Sequence, residues 1–526
     1  MPCHRCDGDH VVADPVALEI ARSELASIAE EMGIVLRNAS FSPNIKERID
    51  CSAAVFTPGG EMLAQAEHIP VHLGSMPASV LAVLDRFGAD PEPGTQFAVN
   101  DPFAGGTHLN DLTMVRPVHV GGRLVAWVGN RAHHADVGGE APGSMPAHAT
   151  TVEQEGIVIP PMVAARRGVW DDAFLVPFLE ATRTPAERRG DLSAQMGANE
   201  AGAIRLEALH GRRAGDLATV AGELLDYGER RMRAALSALP DGSSTFSDVM
   251  ELGDGFVTIT VDVRVDGDRL VADFRGSDDQ VAANFNAVRA VTFSCLGYAV
   301  RVATDPTIPA TGGAYRPLEL VTRPGSIVDA VAPAAVAAGN VETSQRIADV
   351  LLGALARFAP DRVPAAGQGT MNNVLIGNDS FAYYETVAGG QGARPGRPGQ
   401  SGIQTGMTNT KNTPITSLSA HYPITVTRYR LRKGSGGEGQ FVGGDGIERG
   451  IRFHEPATLS LMGERRRSQP WGLAGGGPGA AGEDWLYTVD GDRRRLPSKC
   501  TIEVEPGDEL LVLTPGGGGW GRGTGA

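Results

Sequence analysis

The sequence predicts an α+β fold of several domains with mixed or antiparallel sheets, and three observations predict it. Apolar residues spaced three and four apart mark helices in the first half of the chain. Period-two alternation marks strands from residue 257 onward. Beyond residue 365 glycine becomes dense, yet short runs of Val, Thr and Tyr keep strand character. With 526 residues, 42% of them hydrophobic and 21% charged, the chain is long enough for about two to four domains with their own cores.

Asp14 reads as an N-cap and Pro15 as the first helical residue, with Leu18, Ala21, Leu25, Ile28, Met32 and Val35 on one apolar face. A strand is expected at 51–56, with Asp50 at its start, followed by a Pro58-Gly59-Gly60 turn and a returning strand. Residues 68–74, HIPVHLG, carry His68 and His72, which either line a pocket or are hydrogen-bonded packing residues. Residues 112–120 and 123–130 read as strands joined by Gly121-Gly122, a pair able to take the positive φ angles of a two-residue turn. The loop at 142–161 is long and patterned enough to cover a site.

A helix is expected at 216–239, ended by Pro240-Asp241-Gly242. Val257, Ile259, Val261, Val263 and Val265 then alternate with polar residues, and 270–274 returns after an Asp266-Gly267 turn. Helices at 291–304 and 345–358 and a strand at 317–321 follow. Ahead of the last helix, residues 339–344 (GNVETS), with Asn340 and Glu342, read as a loop feeding a helix N-terminus whose N–H groups are offered to an anion or a carbonyl oxygen. Strands are expected at 422–431, 459–462 and 509–514. These patterns divide the chain into an extension (1–13), a first domain that carries the candidate metal site (14–240), an α/β middle domain (241–364) and a Gly-rich, β-rich region (365–526).

Residues 101–139 concentrate His108, Asn110, Asp111, His133, His134 and Asp136 around the predicted hairpin. Pairing Val120 with Arg123 and stepping outward puts Leu109 opposite His134 and Asn110 opposite His133, so the histidines of the two strand ends become neighbours about 5 Å apart. Strict alternation sends His108 and His133 to one face and Asp111 to the other. The Gly105-Gly106 approach is therefore expected to bend the chain. Two imidazoles with one or two carboxylates suit zinc, manganese or ferrous iron, whereas calcium wants oxygen ligands only. An ion held there would lower the pKa of its water from about 15.7 toward about 7, which points to hydrolysis or a related carbonyl addition.

The first ten residues hold Cys3, His4, Cys6, Asp7, Asp9 and His10, a set that could bind zinc but lacks a second CxxC or a spaced HxxxH, so an uncommitted extension is the simpler reading. A net charge of −15 argues against nucleic acid or an anionic membrane as partner. Arginine runs at 465–467 and 493–495 read as solvated loop charges. No apolar run reaches the ~18 residues of a membrane span and the N-terminus lacks a signal-peptide layout, so a cytoplasmic location is expected. Five scattered cysteines argue against a disulfide framework. GxxxxGK[ST], GxSxG and HExxH are absent, which places any nucleotide chemistry on another chain.

The runs FSPNIKERID (41–50), HIPVHLG (68–74), NDPFAGGTHLNDLTMV (100–115), AHHADVGG (132–139), PGSMP (142–146), GNVETSQR (339–346), QGTMNN (368–373) and MTNTKNTP (407–414) together resemble the hydantoinase B/oxoprolinase family. This family comprises the B-type subunits of N-methylhydantoinase, 5-oxoprolinase and caprolactamase and is related to a subunit of acetone and acetophenone carboxylases. The resemblance implies a hydantoinase A-type partner that binds ATP and Mg and phosphorylates the substrate. It also implies one divalent ion, Zn or Mn, on Asp50, His108, Asp111 and His133 of this chain, with His134, Asp136 and Asn110 orienting ligands or the attacking water. His68, His72, Asn340 and Glu342 are the expected substrate contacts. The implied reaction is ATP-dependent opening of a cyclic amide (a hydantoin, 5-oxoproline or a lactam) by metal-bound hydroxide. A ketone carboxylase subunit is the alternative, disfavoured because those relatives are built with longer chains or extra subunits; a non-catalytic scaffold is a further one. Gln404-Thr405-Gly406 stands where the family more often has a histidine, and residues 415–420 lack its usual acidic residue, so both departures bear on substrate.

Overall fold

A computed structural model describes residues 15–66, 69–72, 74–212 and 217–523. His68, Asp14, Asp216 and the Cys3–Cys6 cluster with its His and Asp neighbours lie outside the described residues. The chain begins with α1 (Pro15–Ala39) and the single turn α2 (Pro43–Lys46), then β1 (Cys51–Phe56), β2 (Met62–Ala66), α3 (Met76–Phe87), β3 (Thr95–Val99), β4 (Asp111–Val120) and β5 (Arg123–His133). After the loop at 142–161 come β6 (Met162–Arg166), β7 (Val169–Trp170), α4 (Asp172–Ala181), α5 (Pro185–Arg212) and α6 (Leu217–Ser237). The strands form one antiparallel sheet in the order β2-β1-β5-β4-β3-β6-β7.

Both faces of this sheet are covered, and alternation along β1 shows how. Ala53 and Val55 join α1 and α5 through Leu25, Met32, Ala203 and Leu206, while Ala54 and Phe56 join the opposite core with Val80 and Val83 of α3. Each fully buried Leu or Met in these clusters contributes about 1.5–3 kcal/mol relative to an exposed one.

The expected hairpin of β4 and β5 is present, with one difference of register. Val120 faces Arg123 and His119 faces Leu124, but Val118 faces Ala126, so a β-bulge leaves Val125 unpaired. Beyond the bulge Asp111, not Asn110, stands opposite His133. An extra residue in one strand shifts every later pair by one. The bulge therefore aligns the carboxylate with the imidazole, a task the sequence reading assigned to Gly105-Gly106.

The pattern change at residue 240 falls between α6 and β8 (Gly242–Leu252), which pairs with β9 (Gly255–Asp266), β10 (Arg269–Asp273) and, after α7 (Arg289–Ala303) and α8 (Gly312–Tyr315), β11 (Leu318–Val321). The order is β11-β10-β9-β8, with β11 parallel to β10, so this sheet is mixed. The alternating valines of β9 are buried and pack on α9 (Ser344–Leu355), which in turn packs on α7. Residues 339–344, read above as a loop, are instead a π-helical turn (Gly339–Thr343) running straight into α9. The amides of Gly339, Glu342 and Thr343 donate to the carbonyls of Val336 and Ala338 just before the turn, so they are not free for an anion. The apolar cluster is continuous from the first sheet through α7 and α9 to the second.

The Gly-rich region supplies β12 (Asn373–Gly377), β13 (Ala382–Thr386), α10 (Ile415–His421), β14 (Ile424–Arg432), β15 (Gly446–Phe453), β16 (Ala457–Met462), β17 (Glu483–Tyr487), β18 (Arg493–Leu496), β19 (Lys499–Val504) and β20 (Glu509–Leu513). They make two antiparallel sheets, β13-β12-β16-β19 and β14-β15-β20-β17-β18. Many glycines lie outside these ladders, in irregular segments packed backbone against backbone. Gly517 donates to Gly444 O at 2.9 Å and accepts from Gly437 N at 2.8 Å, and a Cβ on it would fall 2.0 Å from Gln391 O.

One charge expectation fails. Arg465 and Arg466 are buried, Arg465 against Asp248 (2.6 Å) and Asp349 (2.8 Å), Arg466 against Asp484 (2.8 Å). Arginines in runs look solvated in a sequence, but carboxylates brought from distant segments hold these two. Among the described residues no helix is long and apolar enough to cross a membrane.

Candidate metal centre

His108 reaches the sheet edge through a tight turn. Gly106 N bonds to Asp101 O, and a Cβ on Gly106 would sit 2.3 Å from Asn100 O, so the close approach needs glycine. The imidazole is fully buried, and its Nδ1 donates to Ala337 O at 3.1 Å, because a carbonyl can only accept. In the neutral ring Nε2 is then a bare lone pair. It lies 3.1 Å from Asp111 Oδ1 and has no hydrogen-bond partner.

His133 closes the group from the end of β5. Its Nδ1 is 3.2 Å from the same Asp111 Oδ1, and its Nε2 is buried without a partner. The ring stacks on Tyr384 at 4.6 Å, and the Arg48 guanidinium also lies over the Tyr384 ring, 4.6 Å from its centroid. Asp111 Oδ2 gathers His72 Nε2 (3.2 Å), Thr107 Oγ1 (3.2 Å) and Asn340 Nδ2 (3.1 Å), while His72 Nδ1 is 2.9 Å from Ser52 Oγ.

Ligand atoms of His108, Asp111 and His133 lie within 4.8 Å of one another. Two ligands each about 2.1 Å from a shared ion stand roughly 3.0–3.4 Å apart, which matches the 3.1 Å between His108 Nε2 and Asp111 Oδ1. The donor set of two imidazoles and a carboxylate, with orphaned and buried Nε2 atoms, fits a divalent transition ion.

Burial pushes the Asp111 carboxyl up, but the surrounding imidazoles of His108, His72 and His133 outweigh it and hold the group well below the usual carboxylate range. Burial lowers His133, against the pull of Asp50 and Asp111, so its neutral, ligating form is favoured.

Asp50 lines the same small cavity of about 20 Å³ as His72, Asp111, His133 and Asn340. It follows Ile49, a β-branched residue at φ 59. Such a conformation costs on the order of 1–3 kcal/mol and is retained where surrounding structure imposes it. Here Asp50 N bonds to Asn44 O and Asp50 O accepts from His133 N, which ties the strained corner to the hairpin.

Three expected residues are not brought into the cluster. His134 alternates to the opposite face, where its Nε2 meets Gln195 Oε1 at 2.9 Å and its ring meets the edge of Phe178; burial, reinforced by Arg188, lowers it to about 4. Asp136 accepts from the amides of Gly138, Gly143 and Arg183 and from the Arg183 guanidinium. Asn110 donates to His134 O and Gly143 O. All three brace the loops beside the site. Glu342 is also one step removed: burial pushes its carboxyl up to about 8, and it accepts from Met371 N and Asn373 Nδ2.

Sequence reading missed other neighbours. Tyr384, Thr386, Thr408 and Thr410 line the cavity from the Gly-rich region, and the run MTNTKNTP was the available signal for the last two. Glu155, in the loop at 142–161, accepts from Val336 N and Ala337 N and so holds the segment whose Ala337 carbonyl orients His108.

Set beside known proteins, residues 14–523 match the profile of the Hydantoinase B/oxoprolinase family. The chain belongs to that family. 5-Oxoprolinase 1 of Arabidopsis thaliana is 38% identical over 97% of the chain, which spans only 42% of that relative's length. The crystal structure of an ATP-dependent caprolactamase from Pseudomonas jessenii superposes with a TM-score of 0.90 at 28% identity, covering 97% of this chain and 91% of that one. Acetone carboxylase shares the fold, with a TM-score of 0.90 at 18% identity, covering 97% of this chain and 76% of that one. This hydantoinase B-type chain thus has the mixed α+β, multi-domain architecture of the caprolactamase.

Proposed function

We propose that the chain is the metal-dependent part of an ATP-dependent hydrolase that opens cyclic amides, acting with an ATP-binding partner of the hydantoinase A type. The observation that carries this reading is the buried His108, Asp111 and His133 group, whose imidazole Nε2 atoms have no partner in the protein, in a chain whose relatives include 5-oxoprolinases and an ATP-dependent caprolactamase. A divalent ion held by these three residues, with Asp50 beside them, would supply Lewis acidity toward oxygen in the substrate or in water. A scaffold would have no use for two buried, unpaired imidazole nitrogens, which cost about 1–3 kcal/mol each when left unsatisfied.

An amide resists direct attack by water, which is the reason for ATP. Phosphorylation of the ring amide oxygen on the partner makes the ring carbon electrophilic. Water adds to that carbon, the C–N bond breaks with a proton passing to nitrogen, and a second water releases phosphate from the acyl phosphate. Ring, ATP and two waters thereby become open-chain acid, ADP and phosphate. In this chain Asp111 holds the imidazoles in place, Asn340 fixes Asp111 Oδ2, and the walls at Tyr384, Thr386 and Thr410 exclude bulk water.

The test is an assay of the chain with its ATP-binding partner on 5-oxoproline, hydantoin, caprolactam, and acetone plus bicarbonate. Ring opening that needs both proteins and ATP is expected. Ring opening by this chain alone, or carboxylation in place of hydrolysis, would overturn the reading.

A further inference from the structure

The cavity at the metal centre, about 20 Å³, has room for an ion or a water but not for an organic ring. The rest of a substrate must lie elsewhere. The larger outward groove of about 550 Å³ beside Gly105 and Phe103 is mostly apolar and shares no lining residue with the metal cavity. A different cavity of about 240 Å³, the space of roughly eight waters, does share its wall. Thr408 lines both; Pro70 lines the larger and its neighbours Ile69 and Val71 the smaller. Gln404 lines the larger one, and its Nε2 donates to Thr386 Oγ1 at 3.1 Å, a residue that lines the smaller.

The lining has a definite chemistry. Its polar side chains include the amides of Gln345, Gln391, Gln404 and Asn409 and the hydroxyls of Thr405 and Thr408. Among the described residues no Lys, Arg or His lines it, and the carboxylate present, Asp349, is already taken by Arg465 at 2.8 Å. A carboxylate entering here would meet no cation and would lie near Asp349. A bare methylene chain would offer no partner to a polar atom left free in this lining. Two lining residues also keep one buried polar atom each without a partner: Gln404 Oε1, an acceptor, and Trp471 Nε1, a donor. A group with both an N–H and a C=O offers a donor to the one and an acceptor to the other. The loop is held in shape by Gln345, whose Nε2 donates to Thr405 O at 3.0 Å; Gly406 takes φ +67, and a Cβ there would fall 2.0 Å from Gln345 Oε1.

We propose that this cavity holds the part of the substrate that does not react, and that Gln404 makes it selective for an uncharged group with its own N–H and C=O over a carboxylate or a hydrocarbon chain. The assignment rests on the ring-opening reading for its link to catalysis, but binding can be tested without it. Calorimetric titration of the full chain, its divalent ion bound, with hydantoin, 5-oxoproline and caprolactam compares three cyclic amides with different remainders. Hydantoin is expected to bind at least tenfold more tightly than the other two. Gln404→Ala is expected to weaken hydantoin at least tenfold with metal content unchanged, and Gln404→Arg to shift preference toward 5-oxoproline. Should the arginine variant not fold, Thr405→Val, which removes a lining hydroxyl, serves beside Gln404→Ala and is expected to weaken hydantoin. Equal binding of the three rings, binding of none, or hydantoin affinity unmoved by the variants would overturn the proposal. Rings that bind in this order but are not opened with partner and ATP would count against the hydrolase reading alone. Rings that are opened with no response to Gln404 would count against the cavity alone.

Discussion

Glu155→Gln tests how the fold presents His108. Each Glu155 oxygen accepts one backbone N–H, from Val336 at 3.0 Å and Ala337 at 2.8 Å, and Ala337 passes the constraint to His108 Nδ1 through its carbonyl. Glutamine keeps one acceptor and turns an NH₂ toward the other N–H, so one hydrogen bond is lost and one buried donor is left unsatisfied. Together these cost about 2–4 kcal/mol. Loosening the partner that orients a metal-ligating histidine lowers metal affinity by roughly 10- to 100-fold.

The carboxyl also sets a pH signature. Burial raises it from 4.5 to about 8, more than the two amide bonds lower it. The folded state therefore binds this proton more tightly than the unfolded state, and its stabilising contribution, present below pH 4.5, is lost as pH rises toward 8. One unit is about 1.4 kcal/mol, so the loss is on the order of several kcal/mol, and glutamine abolishes it. Urea midpoints of wild type and variant at pH 5.5, 7.0 and 8.5 are expected to converge as pH rises. Parallel curves, or unchanged metal affinity in the variant, would refute the reasoning.

Other substitutions probe the scaffold. Gly517→Ala puts a Cβ 2.0 Å from Gln391 O, backbone against backbone with nothing able to rotate away, and breaks bonds to Gly437 and Gly444; a loss of more than about 4 kcal/mol, or failure to accumulate folded protein, is expected in denaturant unfolding. Glu385→Gln strips the buried Arg449 of the carboxylate that grips it at 3.0 and 2.8 Å, and calorimetry is expected to show about 3–5 kcal/mol of destabilisation.

The candidate site was legible in outline because hairpin chemistry is local. Gly121-Gly122 and the flanking apolar runs announce the turn, and the turn brings residues 108–111 to 133. Register was misread by one because a bulge at Val125 leaves no trace in an alternating pattern of Val, Ala and Trp. The long helix α5 went unread for a different reason. Apolar Ala203, Leu206 and Leu209 are confined to its C-terminal half, while its N-terminal half meets the sheet through Gln195 and Asn199, whose amides donate to Asn130 Oδ1 and to the carbonyls of Leu112 and Met114. A helix docked over half its length by hydrogen bonds shows no continuous apolar stripe. The cavity walls from Tyr384 to Thr410 lie more than 200 residues from His133, and no local pattern joins them.

The central claim is that His108, Asp111 and His133 hold one divalent ion. Elemental analysis of the purified chain, alongside His108→Ala and Asp111→Asn variants whose folding is checked by circular dichroism, measures it directly. About one ion per chain in the wild type, lost from both folded variants, is the expected result; an ion retained by both, or none bound by the wild type after exposure to zinc and manganese, would contradict the account.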